Sequence, residues 1–184
     1  MKKTFLSLLL IGITLFGFSQ FEKVELQASG LTCSMCSNAI NKALKTLPFV
    51  ATIETDLNQN IFTIELKKNV PVDFDAISRK VEGAGFSVAK CWVTVDLHDL
   101  NLHKDEHAVI DGLNIHFMNV KSQILNGPSR LQIIDRNFVQ PKEYKRFSTL
   151  TSMTCYKTGM MASCCKSDHA EVATKSTRIY HVTI

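Results

Sequence analysis

The stretch Val24-Glu25-Leu26-Gln27-Ala28-Ser29-Gly30-Leu31-Thr32-Cys33-Ser34-Met35-Cys36 holds the key to the fold. Val24, Leu26 and Ala28 alternate with Glu25 and Gln27, the period of a half-buried strand. Gly30 then permits a sharp change of direction. Beyond Cys36, Ile40, Leu44 and Leu47 recur at helical spacing with Ala39 and Ala43 beside them, and Pro48 closes the helix. A strand running through a short loop into a helix, with two cysteines in the loop, is therefore the first unit of the chain.

Outward from it, Phe49 to Asp56 and Ile61 to Lys67 are strand-like, with Asn58-Gln59-Asn60 as the hairpin turn between them. Phe74, Ile77, Val81 and Ala84 form a second helical stripe, stopped by Gly83 and Gly85. Phe86 to about Val95 is a further strand. The order strand, helix, strand, strand, helix, strand is the split βαβ plan, an α+β arrangement of two helices over one sheet.

The chemistry of this unit lies in Cys33-x-x-Cys36. The spacing places Cys33 just ahead of a helix and Cys36 in its first turn, where free amide groups and the helix dipole lower thiol pKa values. Two thiolates there can converge on one soft ion, and Cys and Met ligands select Cu(I) among others. A redox-active disulfide, half of a zinc site and an inert structural disulfide remain open for the same pair.

Gly30-Leu31-Thr32-Cys33-Ser34-Met35-Cys36, the helix after it and the element order resemble the heavy-metal-associated domain family over residues 22–90. The resemblance implies a ferredoxin-like βαββαβ fold and a metal site on Cys33 and Cys36. It also implies Cu(I) as the ion, with Hg(II) or Zn(II) as the other possibilities, and a metal exporter, a metal-transporting ATPase or a cuproenzyme as the transfer partner. Leu31 stands where the family usually has Met, a volume-conserving change. Phe86 occupies the place of the aromatic found in exported and ATPase modules, where cytosolic copper chaperones usually carry Lys.

Met1-Lys2-Lys3, the apolar run Phe5 to Phe18 and the small residues Gly17 and Ser19 have the layout of a secretory signal peptide spanning residues 1–19. The run is shorter than the roughly 20 residues that span a bilayer. No membrane span is expected after its removal, and the mature chain is expected to be exported, to the periplasm if the host is Gram-negative. Cysteines there are normally oxidised or occupied, and this chain has 6.

Residues 20–95 are thus expected to form the metal-binding domain and residues 96–184 a small, mostly-β domain, a sandwich or a barrel. Leu113 to Val120, Arg130 to Ile134, Phe147 to Leu150 and Arg178 to Ile184 are its strand candidates. Asn126-Gly127-Pro128 and Gln140-Pro141 read as turns. His98, His103 and His107 read as solvated loop residues. Met153, Cys155, Met160, Met161, Cys164, Cys165 and His169, within a loop spanning 151–176, form a candidate second soft-metal set. The competing reading is a loop stapled by disulfides among Cys91, Cys155, Cys164 and Cys165.

With 21 Lys and Arg against 17 Asp and Glu, one Trp and three Tyr, the chain has neither the charge nor the aromatic surface of a nucleic-acid binder. It has no GxSxG, HExxH or phosphate-cradling glycine loop. The expected function is therefore non-enzymatic: an exported soft-metal carrier or sequestering chaperone that passes Cu(I) by ligand exchange. The alternatives are an exported thiol-disulfide oxidoreductase using the same CxxC, or a mercuric-ion-binding protein.

Overall fold

The computed structural model describes residues 20–31, 33–165 and 177–184. The proposed signal peptide and His169 lie outside these residues.

The alternating stretch forms β1 (Gln20–Ser29), and the helical stripe after it forms α1 (Ser34–Leu44). β2 (Val50–Asp56), β3 (Ile61–Leu66), α2 (Phe74–Gly83) and β4 (Ser87–Leu102) follow. The hairpin between β2 and β3 is held by Asp56, whose Oδ1 accepts the N–H groups of Asn58 and Gln59 at 2.8 and 3.1 Å, a local turn that Asp favours. Asp73 caps α2, its Oδ1 accepting the Ala76 N–H at 3.0 Å.

The four strands lie in the order β2-β3-β1-β4, all neighbours antiparallel. This is the ferredoxin-like order expected from the sequence. Ile40 and Leu44 of α1 and Phe74, Ile77 and Val81 of α2 are buried against Val24, Leu26, Phe62, Ile64 and Val93. One helix layer on one sheet face thus closes the core, each apolar stripe meeting the inward-facing half of the strands.

The remainder is mostly β, but it forms neither a sandwich nor a barrel. β4 runs on to Leu102, through the boundary expected near residue 95. β5 (His107–Ile110), β6 (Leu113–Phe117), β7 (Gln123–Ile133) and β8 (Ile179–Thr183) extend the same sheet to eight strands, β2-β3-β1-β4-β7-β8-β6-β5, which stays open. β7 pairs antiparallel with β4 from Cys91↔Ile133 to Leu102↔Gln123. β8 pairs antiparallel with β7 and parallel with β6. Every residue of β8 is buried, as befits a strand covered on both faces.

Two local expectations are corrected. Asn126-Gly127-Pro128 is not a turn but part of β7, opposite an irregularity in β4 between Leu97 and Leu100. Pro128 lacks an N–H, and β8 pairs only farther along β7, at Gln132 and Ile133, so the proline sits where β7 has a free edge. Phe147 and Ser148 end a helix, α3 (Pro141–Ser148), instead of starting a strand. Gln140-Pro141 is that helix's beginning: a proline at the first helical position gives up no hydrogen bond. A short helix, α4 (Thr154–Thr158), and a 3-10 turn, Ser163–Cys165, complete the described chain.

The face of β6 and β8 away from α1 and α2 carries a second cluster. Ile115, Phe117, Tyr180 and Val182 join the main core, so the alternate residues His116 and His181 point to the opposite side. There Met118, Ile134, Val139, Phe147 and Tyr156 pack together, and Cys155, Cys165 and Ile179 form a further buried group.

Candidate metal centre

Cys33 is the N-cap of α1, in extended conformation with φ −154° and ψ 161°. Its carbonyl accepts the N–H groups of Cys36 and Ser37 at 3.1 and 3.4 Å, starting the helix while its side chain makes no cap hydrogen bond. The Sγ atoms of Cys33 and Cys36 lie 2.9 Å apart. Cys33 is exposed and Cys36 half-buried. Met35 between them is 80% exposed, an unusual position for a thioether with a core nearby.

The Cys33 thiol is held below its ordinary pKa, first by the hydrogen bond from the Cys36 side chain and then by the Cys36 backbone N–H. No acidic residue occupies the first turn of α1, so nothing there opposes the positive end of the helix dipole. Below the loop, Leu31 and Phe86 pack on the main core. An added Cβ on Gly30, which has φ +83°, would lie 3.9 Å from the Phe86 ring. The aromatic that the sequence places near the loop is therefore a floor beneath it, and the thiols stay open to solvent. Chemically, the arrangement offers two adjacent sulfur donors, one readily ionised, on a surface that another thiolate can approach.

The second candidate set is partly assembled. Cys155, Cys164 and Cys165 have their Sγ atoms within 4.8 Å of one another, with Met153 and Met161 packed against them. Met160 instead lines a cavity beside Asp75, Arg79 and Arg178. Cys91 is buried in the main core, away from the disulfide staple considered for it, and burial pushes its thiol well up.

Cys155 also belongs to a second group, with His116, which sequence reasoning missed, and His107, which is half-buried on β5 and not a solvated loop residue. A ligand atom each of His107, His116 and Cys155 also lie within 4.8 Å of one another. His107 and His116 are register partners on β5 and β6, their rings stacked at 4.2 Å. His98 and His103 remain exposed, His98 with Asp96 at 4.0 Å. Burial, followed by the neighbouring His107 and His181, drives the His116 pKa down to about 3. The imidazole is thus neutral, the state that binds metals. Burial raises Cys155 and Cys165. Burial opposes ionisation of Cys164 too, but the Thr154 hydroxyl and the Cys155 backbone N–H bring it down to about 7.

A ferredoxin-like α+β unit presenting an open CxxC at the start of its first helix defines a class of small metal-binding domain. The family model of the heavy-metal-associated domain matches residues 25–87, and this segment of the chain is a heavy-metal-associated domain. Copper-transporting ATPase 2 of Rhizobium meliloti (strain 1021) is 36% identical over 66 residues, 36% of this chain and 8% of that protein. The chain thus spans only a small fraction of that relative's length. Among solved structures, the yeast copper transporter domain CCC2A, in apo and Cu(I)-loaded states, is 31% identical. That match covers 38% of this chain and 90% of the domain, with a TM-score of 0.33. A copper-binding domain from HMA7, a P-type ATPase, is 30% identical over 36% of this chain and 89% of its own, again with a TM-score of 0.33.

Proposed function

We propose that the protein is a non-enzymatic soft-metal binder that takes Cu(I) on Cys33 and Cys36 and hands it on by thiolate exchange. The observation that carries this is the pair itself: two sulfurs 2.9 Å apart, one exposed and one half-buried, at the open start of α1. Sulfur donors select soft ions, and an exposed pair that belongs to no larger cluster of metal-ligating side chains among the described residues leaves room for a partner's thiolate to enter. The likeness of this segment to Copper-transporting ATPase 2 supports copper as the ion, with Hg(II) and Zn(II) as the alternatives that the same two thiolates would hold. It equally supports a metal-transporting ATPase as the transfer partner, with an exporter or a cuproenzyme as the other recipients of the same chemistry.

We further propose that the chain works outside the cytosol, delivered by residues 1–19. The basic start and apolar run support this, and N-terminal sequencing of the protein recovered from an exporting host tests it: a mature terminus at Gln20 is expected. No helix among the described residues is long and apolar enough to cross a membrane.

The metal reading is tested by anaerobic Cu(I) titration of the reduced chain against a competing chelator. Changing Cys33→Ser together with Cys36→Ser should remove one equivalent of bound Cu(I); unchanged stoichiometry and affinity would overturn the assignment. Thiol–disulfide exchange is the second reading, favoured by the lowered Cys33 thiol. Catalysed insulin reduction that vanishes with Cys33→Ser would establish it.

A further inference from the structure

We infer that the far end of the sheet holds a second, independent centre for a soft d10 cation, built by Cys155, Cys164 and Cys165, with His116 beside Cys155 as a further donor. The three thiols come from two short elements, Cys155 from α4 and Cys164 and Cys165 from the 3-10 turn. The Sγ atoms of Cys164 and Cys165 are 3.7 Å apart. Two thiolates on one tetrahedral zinc, each at about 2.3 Å, are separated by about 3.8 Å, so these sulfurs already span one edge of a coordination sphere. The Cys155 Sγ lies 3.8 Å from His116 Nδ1, where a sulfur and a nitrogen sharing such an ion stand about 3.6 Å apart.

Burial makes the cluster hard to explain as ordinary core. Cys155 and His116 are fully buried and Cys165 is 2% exposed. The Nε2 atoms of His107 and His116 are buried without a hydrogen-bond partner, although Asp105 Oδ1 stands 3.6 Å from that of His116. Orphaned polar atoms in a native interior call for a specific reason. An ion on Nδ1 of His116, the nitrogen that lies against Cys155, leaves the ring proton on Nε2 and so accounts for the aim of that atom at Asp105, not for the orphaned Nε2 of His107. With Nδ1 of His116 on the ion, its Nε2–H faces Asp105, the carboxylate–histidine–metal relay that orients metal-bound imidazoles.

This centre does not depend on Cys33 and Cys36, which sit at the start of α1 on the other side of the sheet. Three thiolates suffice for Cu(I), whereas Zn(II) takes a fourth ligand, so the two ions make different demands on His116.

The test uses the full chain carrying Cys33→Ser and Cys36→Ser, reduced and kept anaerobic, titrated separately with Zn(II) and Cu(I) against chelators. Co(II) serves as an optical reporter of thiolate ligation. One equivalent of metal and a sulfur-to-cobalt charge-transfer band are expected. Cys164→Ser, at a half-buried position that leaves the buried Cys155 intact, should weaken binding at least about tenfold and diminish that band, with circular dichroism unchanged. His116→Gln should weaken Zn(II) and spare Cu(I) if the thiols alone hold copper. Failure of the reduced chain to bind either ion would overturn the proposal. So would binding indifferent to Cys164→Ser, or recovery from a reductant-free, metal-replete preparation of only a Cys155–Cys164 or Cys155–Cys165 disulfide. Because Cys33 and Cys36 are already absent, none of these failures bears on the first site.

Discussion

Asp75, in the first turn of α2, and Arg178, at the entrance to β8, meet in a two-point ion pair across 103 residues of sequence: Nε to Oδ2 at 2.8 Å and Nη2 to Oδ1 at 3.0 Å. The guanidinium also approaches Asp135 at 3.5 Å and lies over the Tyr180 ring at 4.1 Å. Its planar fork thus joins the heavy-metal-associated unit to the last strand of the sheet, where a lysine would offer only a point charge.

Asp75→Ala leaves that half-buried guanidinium with one carboxylate fewer. A hydrogen-bonded charge of this kind contributes about 2 kcal/mol, which for a chain of this length lowers the Tm by about 4–8 °C. Arg178→Lys should lose part of the same amount. Thermal melts of the two variants measure it, and a Tm for Asp75→Ala within a degree of the parent would show the pair to be dispensable.

The shared sheet predicts a single unfolding transition. Leu131 of β7 is fully buried and lies opposite Val93 of β4, so Leu131→Ala opens a cavity at the seam and costs about 2–5 kcal/mol. Trp92, the single tryptophan, sits on β4 between β1 and β7 with the Arg130 guanidinium 4.4 Å above its ring. Its fluorescence and the far-ultraviolet dichroism should move together, at a lower denaturant midpoint than in the parent chain. Two separated transitions would instead mean that residues 20–95 and 96–184 fold as distinct domains.

How far the sequence discloses this architecture depends on the range of the interactions. β1, α1 and the CxxC between them are read from neighbours a few residues apart, and the structure places them as the pattern indicates. The pairing of His107 with His116 is local too, but a four-residue β5 without strong alternation gives no signal, and a His in a charged stretch reads as solvated. Beside His116 lies β8, which arrives from the end of the chain and runs parallel to β6, with His181 opposite His116. No periodicity encodes that crossover. α3 was hidden for another reason: an eight-residue amphipathic helix has a single buried residue, Phe147, and Gln-Pro before it looks the same at a turn as at a helix start.

Thiol reactivity should rank by environment. Cys33 is exposed with a lowered pKa, and Cys91 is fully buried with a raised one. The thiolate is the nucleophile, so in the metal-free, reduced protein at neutral pH, iodoacetamide should alkylate Cys33 at least about tenfold faster than Cys91. Adding Cu(I) should protect Cys33 and leave Cys91 unchanged. Peptide mass mapping over time gives both rates, and equal labelling of the two would contradict the burial of Cys91.

Gly159 is the point at which the backbone geometry and the second centre meet. It ends α4 in the left-handed region at φ +69°, and its N–H returns to the Cys155 carbonyl at 2.7 Å. A Cβ there would lie 3.0 Å from Nη1 of Arg178, and that guanidinium is tethered by Asp75. Gly159→Ala therefore combines an unfavourable φ with a neighbour that can yield only by loosening its ion pair. The expected cost is about 1–3 kcal/mol. The distortion falls on the residue that closes the Cys155 turn, so metal binding by the Cys155, Cys164 and Cys165 set should weaken while Cu(I) on Cys33 and Cys36 is retained. Gly159→Asn, whose side chain tolerates the left-handed region better, should recover part of the backbone term but not the crowding of Arg178. A melt and a metal titration on each variant separate the two contributions; Gly159→Ala with parental stability would show that Arg178 moves aside freely.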